Sequence, residues 1–157
     1  MIIIDTLLLD QVSGQAKSSP RGRKNHNFHK DPSDTLQRLL NAIEPLSYVQ
    51  PHKHENPDKR EAFFALRGRI AVIEFDELGT VTGHTVLDPL KGIFGAEVAE
   101  RTYHTVIALD KGTVAYEIKD GPYCAADDKN FASWAPKEGD ESAGRYIGKL
   151  VEELNIE

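Results

Sequence analysis

The apolar positions change period along the chain. Leu8, Val12 and Ala16 recur every four residues behind Asp5, a good N-cap residue, and predict a helix over residues 5–18. Pro20 and Gly22 break that pattern. Leu36, Leu39, Leu40 and Ile43 also share one side of a helical wheel. Pro32, Ser33 and Asp34 precede them, Asp34 and Gln37 have capping-box spacing, and Pro45 follows, so a second short helix is expected. From Leu46 to Lys119 the chain reads as short strands. Extended segments are predicted over Leu46–His54, Glu61–Phe75 and Thr80–Leu87, with a turn at Asp76-Glu77-Leu78-Gly79 and breaks at Pro89 and Gly92. Tyr103–Leu109 and Thr113–Lys119 flank Asp110-Lys111-Gly112 and predict a hairpin. In the tail, Ile147, Leu150, Val151 and Leu154 return to helical spacing, although Gly144 and Gly148 weaken its start. Short strands with frequent turns indicate a mainly β sandwich or barrel flanked by helices.

A chain of 157 residues is the size of one domain, and 39% apolar residues suffice for a core. The reading is therefore a single domain over residues 1–157. It has an N-terminal helical and basic segment (1–44), a β barrel (45–123) and a tail with a helix (124–157). The net charge of −6 argues against a nucleic-acid partner. No uncharged apolar run reaches membrane-spanning length, so no membrane partner is expected. The segment MIIIDTLLLD lacks a basic leader and is broken by Asp5, which argues against a signal peptide. The single cysteine, Cys124, excludes an intrachain disulfide, and a cytoplasmic protein is expected. Charge is unevenly spread. Between Gln11 and Lys30 there is no acid, but Lys17, Arg21, Arg23, Lys24 and Lys30 are basic. This stretch is either a solvated loop or a lip that attracts a small anionic ligand.

The chemistry concentrates between Pro51 and Glu61. Side chains alternate along a strand, so His52 and His54 point the same way. Asn56-Pro57-Asp58 reads as a turn, and an antiparallel return would place Glu61 beside the histidines. His104 lies in a further strand, on the face that also carries Val106 and Ala108. Three imidazoles and a carboxylate suit one divalent transition metal: zinc, iron, nickel, copper or manganese. Other residues have two readings each. Glu117 is a general base if its strand face points inward, and a surface acid if not. Tyr123 presents its hydroxyl to substrate or packs its ring. His26 and His29 line the mouth of the pocket or cap a loop. Arg38 binds an anion or pairs with Glu117. Tyr48 and Gln50 share the face of His52 and His54 and are candidate pocket walls, and Trp134 is expected to anchor the tail.

His52-x-His54 and Glu61-x6-Gly68 resemble the first cupin motif, with a longer spacer before the glutamate. Only His104 survives of the second motif, with Ala108 where an asparagine is usual. Arg21–His29, Arg38–Ala42, Ser47–His54, Leu66–Arg69, Glu117–Tyr123 and Trp134–Pro136 are similar to the WbuC family of cupin fold metalloproteins, over about Ser19 to Glu138. The resemblance implies a small double-stranded β-helix (jelly-roll) barrel with the four ligands named above. It implies a bacterial protein of surface-polysaccharide (O-antigen) synthesis, with an anionic sugar-related small molecule as ligand. By analogy with cupins a homodimer is expected. Three functions are compatible: an isomerase, epimerase or lyase acting on a sugar or sugar nucleotide; an iron-dependent dioxygenase; or a non-catalytic ligand-binding sensor.

Overall fold

The computed structural model describes residues 1–126 and 128–156. Its elements are α1 (Thr6–Ser18), β1 (Arg23–Asn27), β2 (Leu36–Ile43), β3 (His52–Lys53), β4 (Glu61–Arg67), β5 (Ile70–Phe75), β6 (Val81–Leu87), a 3-10 turn (Pro89–Lys91), β7 (Gly95–Val98), β8 (Tyr103–Ala108), β9 (Thr113–Asp120), β10 (Asn130–Phe131) and α2 (Ser142–Glu153). The strands form two antiparallel five-stranded sheets, ordered β1-β2-β9-β4-β7 and β10-β3-β8-β5-β6.

The expected jelly-roll barrel is corrected by this arrangement. Each sheet is open, with edge strands β1 and β7 in one and β10 and β6 in the other, and no ladder joins the two among the described residues. The sheets pack face to face. Ile43, Phe63, Ala65, Val98 and Ala115 from the first meet Ile70, Val72, Leu87, Val106 and Ala108 from the second in one buried cluster. The helices cover the outer faces. Val12 and Ala16 of α1 bury Leu40, Ala42 and Val114, and Ala143, Ile147 and Leu150 of α2 cluster with Ala71, Ile73, Phe75 and Ile107. Asp5 caps α1 by accepting from the Leu8 N–H at 3.0 Å. No described helix is long and apolar enough to cross a membrane.

Two further expectations change. The second helix is strand β2. Both of its faces are buried: Gln37, Leu39 and Asn41 look into the interior, while Leu40 and Ala42 lie under α1. A strand buried on both faces loses its alternation, and its leucines then fall by chance at helical spacing. Asp34 closes a turn onto Asp31 instead of a capping box, and Gln37, already in β2, donates from Nε2 to the Asp34 carbonyl at 2.8 Å. Likewise β8 and β9 do not pair with one another. β8 pairs with β3 and β5, β9 with β2 and β4, and Asp110-Lys111-Gly112 crosses between the sheets. Arg69, on the neighbouring β4–β5 crossing, clamps Asp110 through its backbone N–H (2.9 Å) and guanidinium (2.8 and 3.0 Å).

A candidate metal centre between the sheets

His52 pairs directly with His104 across β3 and β8. Residues opposite one another in an antiparallel pair share a face, so both rings turn inward. Lys53 turns outward and pairs with Glu77, and His54 returns to the inner face. Glu61 arrives from the facing sheet, as the first residue of β4. The expected antiparallel return beside the histidines is therefore not how the carboxylate gets there; it approaches across the interior. All four side chains are buried, and one ligand atom from each lies within 4.8 Å of the others.

The hydrogen bonds select the metal-binding tautomer. His52 Nδ1 is 2.9 Å from the Gln50 carbonyl, His104 Nδ1 is 2.9 Å from the Thr102 carbonyl, and His54 Nδ1 contacts the Asp128 carbonyl. A carbonyl only accepts, so each Nδ1 carries the proton and each neutral ring keeps its lone pair on Nε2. The buried Nε2 atoms of His52 and His54 have no hydrogen-bond partner. Those of His54 and His104 lie 3.0 and 2.9 Å from Glu61 oxygens. In the neutral tautomer a lone pair would then face a carboxylate, an arrangement that a cation between them resolves. This donor set fits one divalent transition metal, held by His52, His54, Glu61 and His104.

Electrostatics agree. Burial holds the His52 imidazolium well below its ordinary value, so the ring is neutral. Burial alone would raise the Glu61 carboxyl, but the His104 and His54 rings beside it outweigh burial and hold it well below the ordinary carboxylate range, so Glu61 is ionised, the form that binds a cation. Around the ligands lies a buried ion network. Asp128 takes Lys59 Nζ at 2.9 Å and Lys119 Nζ at 2.7 Å, and Lys119 Nζ is 3.6 Å from Glu61 Oε1. The neighbouring acids Glu61, Asp128 and Glu117 overcome the desolvation of Lys119 and raise its pKa.

The centre forms the floor of a cavity of about 610 Å³. Of the residues singled out from the sequence, Arg23, His29, Gln50, Glu117 and Tyr123 line it together with His52, Glu61 and His104. Glu117 is buried and accepts from Asn41 Nδ2 at 2.8 Å; burial, then the nearby Glu61 charge, push its pKa up. Arg23 donates to the Tyr48 carbonyl at 2.7 Å and pairs with Glu138, as Arg21 does. His29 Nδ1 accepts from the Arg38 N–H at 3.2 Å. Three residues lie elsewhere. His26 packs edge-on against Phe28, Arg38 reaches the Phe28 carbonyl, and the Tyr48 hydroxyl donates to the Pro136 carbonyl at 2.7 Å. Trp134 stacks near Phe75 and Tyr103, in the cluster covered by α2. Sequence reasoning missed Asn41, Lys59, Lys119 and Asp128. The remaining signal was their charge or polarity in otherwise apolar or turn segments, which no spacing rule ties to the histidines.

Solved structures share this architecture. TT1209 from Thermus thermophilus is 17% identical over 76% of this chain and 97% of its own, with a TM-score of 0.53. SO0799 from Shewanella oneidensis is 11% identical over 72% of this chain and 75% of its own, with a TM-score of 0.54. A cupin 2 domain-containing protein from Halorhodospira halophila is 15% identical over 83% of this chain and 81% of its own, with a TM-score of 0.50. At these identities the likeness establishes the fold alone, which is the cupin fold. No curated protein matches the chain. The narrower resemblance to the WbuC family rests on the sequence motifs. A family model matches residues 4–87, more than half of the 157, and spans His52, His54 and Glu61: the chain belongs to the family described as a domain of unknown function, DUF6016.

Proposed function

We propose that the protein is a metal-dependent enzyme that moves a proton on a small, anionic, sugar-related substrate, with Glu117 as the general acid or base. The observation that carries this reading is the placement of Glu117. It lines the same cavity as the metal ligands, buried and oriented by Asn41. Its pKa is raised by burial and by Glu61, in the direction that brings a carboxyl toward proton exchange near neutral pH. The cavity has the size of a small-molecule site. Lys24 and Lys129 contribute positive charge to its walls that suits a carboxylate or phosphate, while Arg21 and Arg23 share Glu138 there. The amides of Asn25 and Asn27 offer donors and acceptors for hydroxyl groups. A divalent ion bound by the four ligands supplies a Lewis acid for a substrate carbonyl or hydroxyl oxygen. The basic residues hold the anionic end, and Glu117 takes or returns the proton beside that oxygen.

The test is a turnover screen of sugar acids, sugar phosphates and sugar nucleotides, with metal content measured in parallel. His52→Ala and His104→Ala are expected to lose both metal and turnover. Glu117→Gln is expected to keep the metal and lose about 10²- to 10⁴-fold in rate. Full activity in a metal-free variant, or an unaffected Glu117→Gln, contradicts the proposal. Thermal stabilisation by these compounds without any product would make the protein a binding module instead.

A further inference from the structure

We infer that Asp128 is a positioning residue for the metal centre: its carboxylate keeps the Lys119 ammonium from competing with the ion for Glu61. This rests on the assignment of His52, His54, Glu61 and His104 as ligands. Asp128 lies in the segment before β10, outside every stretch that carries a ligand. Its side chain is buried, as are those of both lysines it binds. One carboxylate thus balances two ammonium groups, Lys59 Nζ at 2.9 Å and Lys119 Nζ at 2.7 Å. Lys59 has a second anchor in the Pro122 carbonyl at 2.6 Å. Among the described residues, the other carboxylate within ion-pairing distance of Lys119 is Glu61, 3.6 Å away. An unpaired buried ammonium is costly, so without the Asp128 charge Lys119 would turn to Glu61 and claim the oxygen the ion needs. The main chain of Asp128 has a separate role, since its carbonyl fixes the His54 tautomer. A side-chain substitution leaves that carbonyl in place and separates the two.

The experiment measures zinc affinity by chelator competition for the wild-type protein, Asp128→Asn, Lys119→Met and the double variant, with thermal unfolding of each as a check on folding. Asp128→Asn should weaken zinc binding by about 10- to 100-fold. Lys119→Met alone should bind zinc no more weakly than the wild type, because it removes a cation beside the ligand. The double variant should return to within about threefold of wild type, because the two positions are coupled. The inference is overturned if Asp128→Asn binds zinc like the wild type, or if the double variant stays as weak as Asp128→Asn. It is also overturned if Lys119→Met alone loses tenfold or more, and that single variant decides the matter should Asp128→Asn fail to fold. A wild-type protein that binds no zinc overturns both this inference and the ligand assignment. Zinc affinities in the expected order without any turnover support the inference while refuting the enzymatic reading.

Discussion

Each of the three imidazoles commits its Nδ1 proton to a backbone carbonyl, and this leaves Nε2 for the interior. Backbone geometry thus does for the tautomer what carboxylates behind the ligands do in other metal sites. The consequence appears as pH dependence. His52 stays neutral well below its ordinary value near 6.5, whereas in the unfolded chain it protonates around that value. Below 6.5 the unfolded state binds the extra proton, so this contribution to stability is complete above that pH and is lost on acidification. Glu61, held well below its ordinary 4.5, acts in the same direction at lower pH, and Glu117, raised, acts in the opposite one. A comparison with His52→Gln isolates the first effect. Between about pH 7.5 and about pH 5.5, metal-free wild-type protein should lose up to about 1.4 kcal/mol more unfolding free energy than that variant. Urea titrations at the two pH values measure it, and equal losses would show that His52 is not kept neutral by the fold.

Among the elements, the crossings between sheets show how little a turn signal says about pairing. Asp110-Lys111-Gly112 has hairpin chemistry, yet β8 and β9 part into different sheets. The β4–β5 crossing beside it requires Gly68, at φ +68°, where a Cβ would stand 2.4 Å from Thr113 Oγ1. Gly68→Ala should destabilise the protein by about 2–3 kcal/mol, from left-handed backbone strain plus the clash. Its zinc affinity should change little, because Gly68 lies outside the ligand set. Denaturant unfolding beside a zinc titration checks both, and an unchanged midpoint would contradict the packing at this crossing. The strand β2 shows the opposite difficulty. Its apolar residues were legible as buried, but α1 covers one face and the facing sheet the other, so periodicity alone could not distinguish strand from helix.

For the whole molecule, two open sheets with a helix on each outer face bring together residues that the sequence keeps far apart. The His-x-His pair could be read from strand alternation and Glu61 and His104 from the motif, although Glu61 reaches the centre from the facing sheet. Asp128, Lys59, Lys119 and Asn41 could not, because only the packed sheets and the segment before β10 gather them around the ligands. The same long-range placement decides whether the chain closes into a barrel or stops as two sheets, and local strand signals do not encode it. The most direct test of the centre that this packing builds is metal stoichiometry. Folded, dialysed protein should retain one divalent ion per chain, and a His52→Ala/His104→Ala variant of intact fold should retain none. Wild-type protein that holds no more metal than that variant would contradict the account.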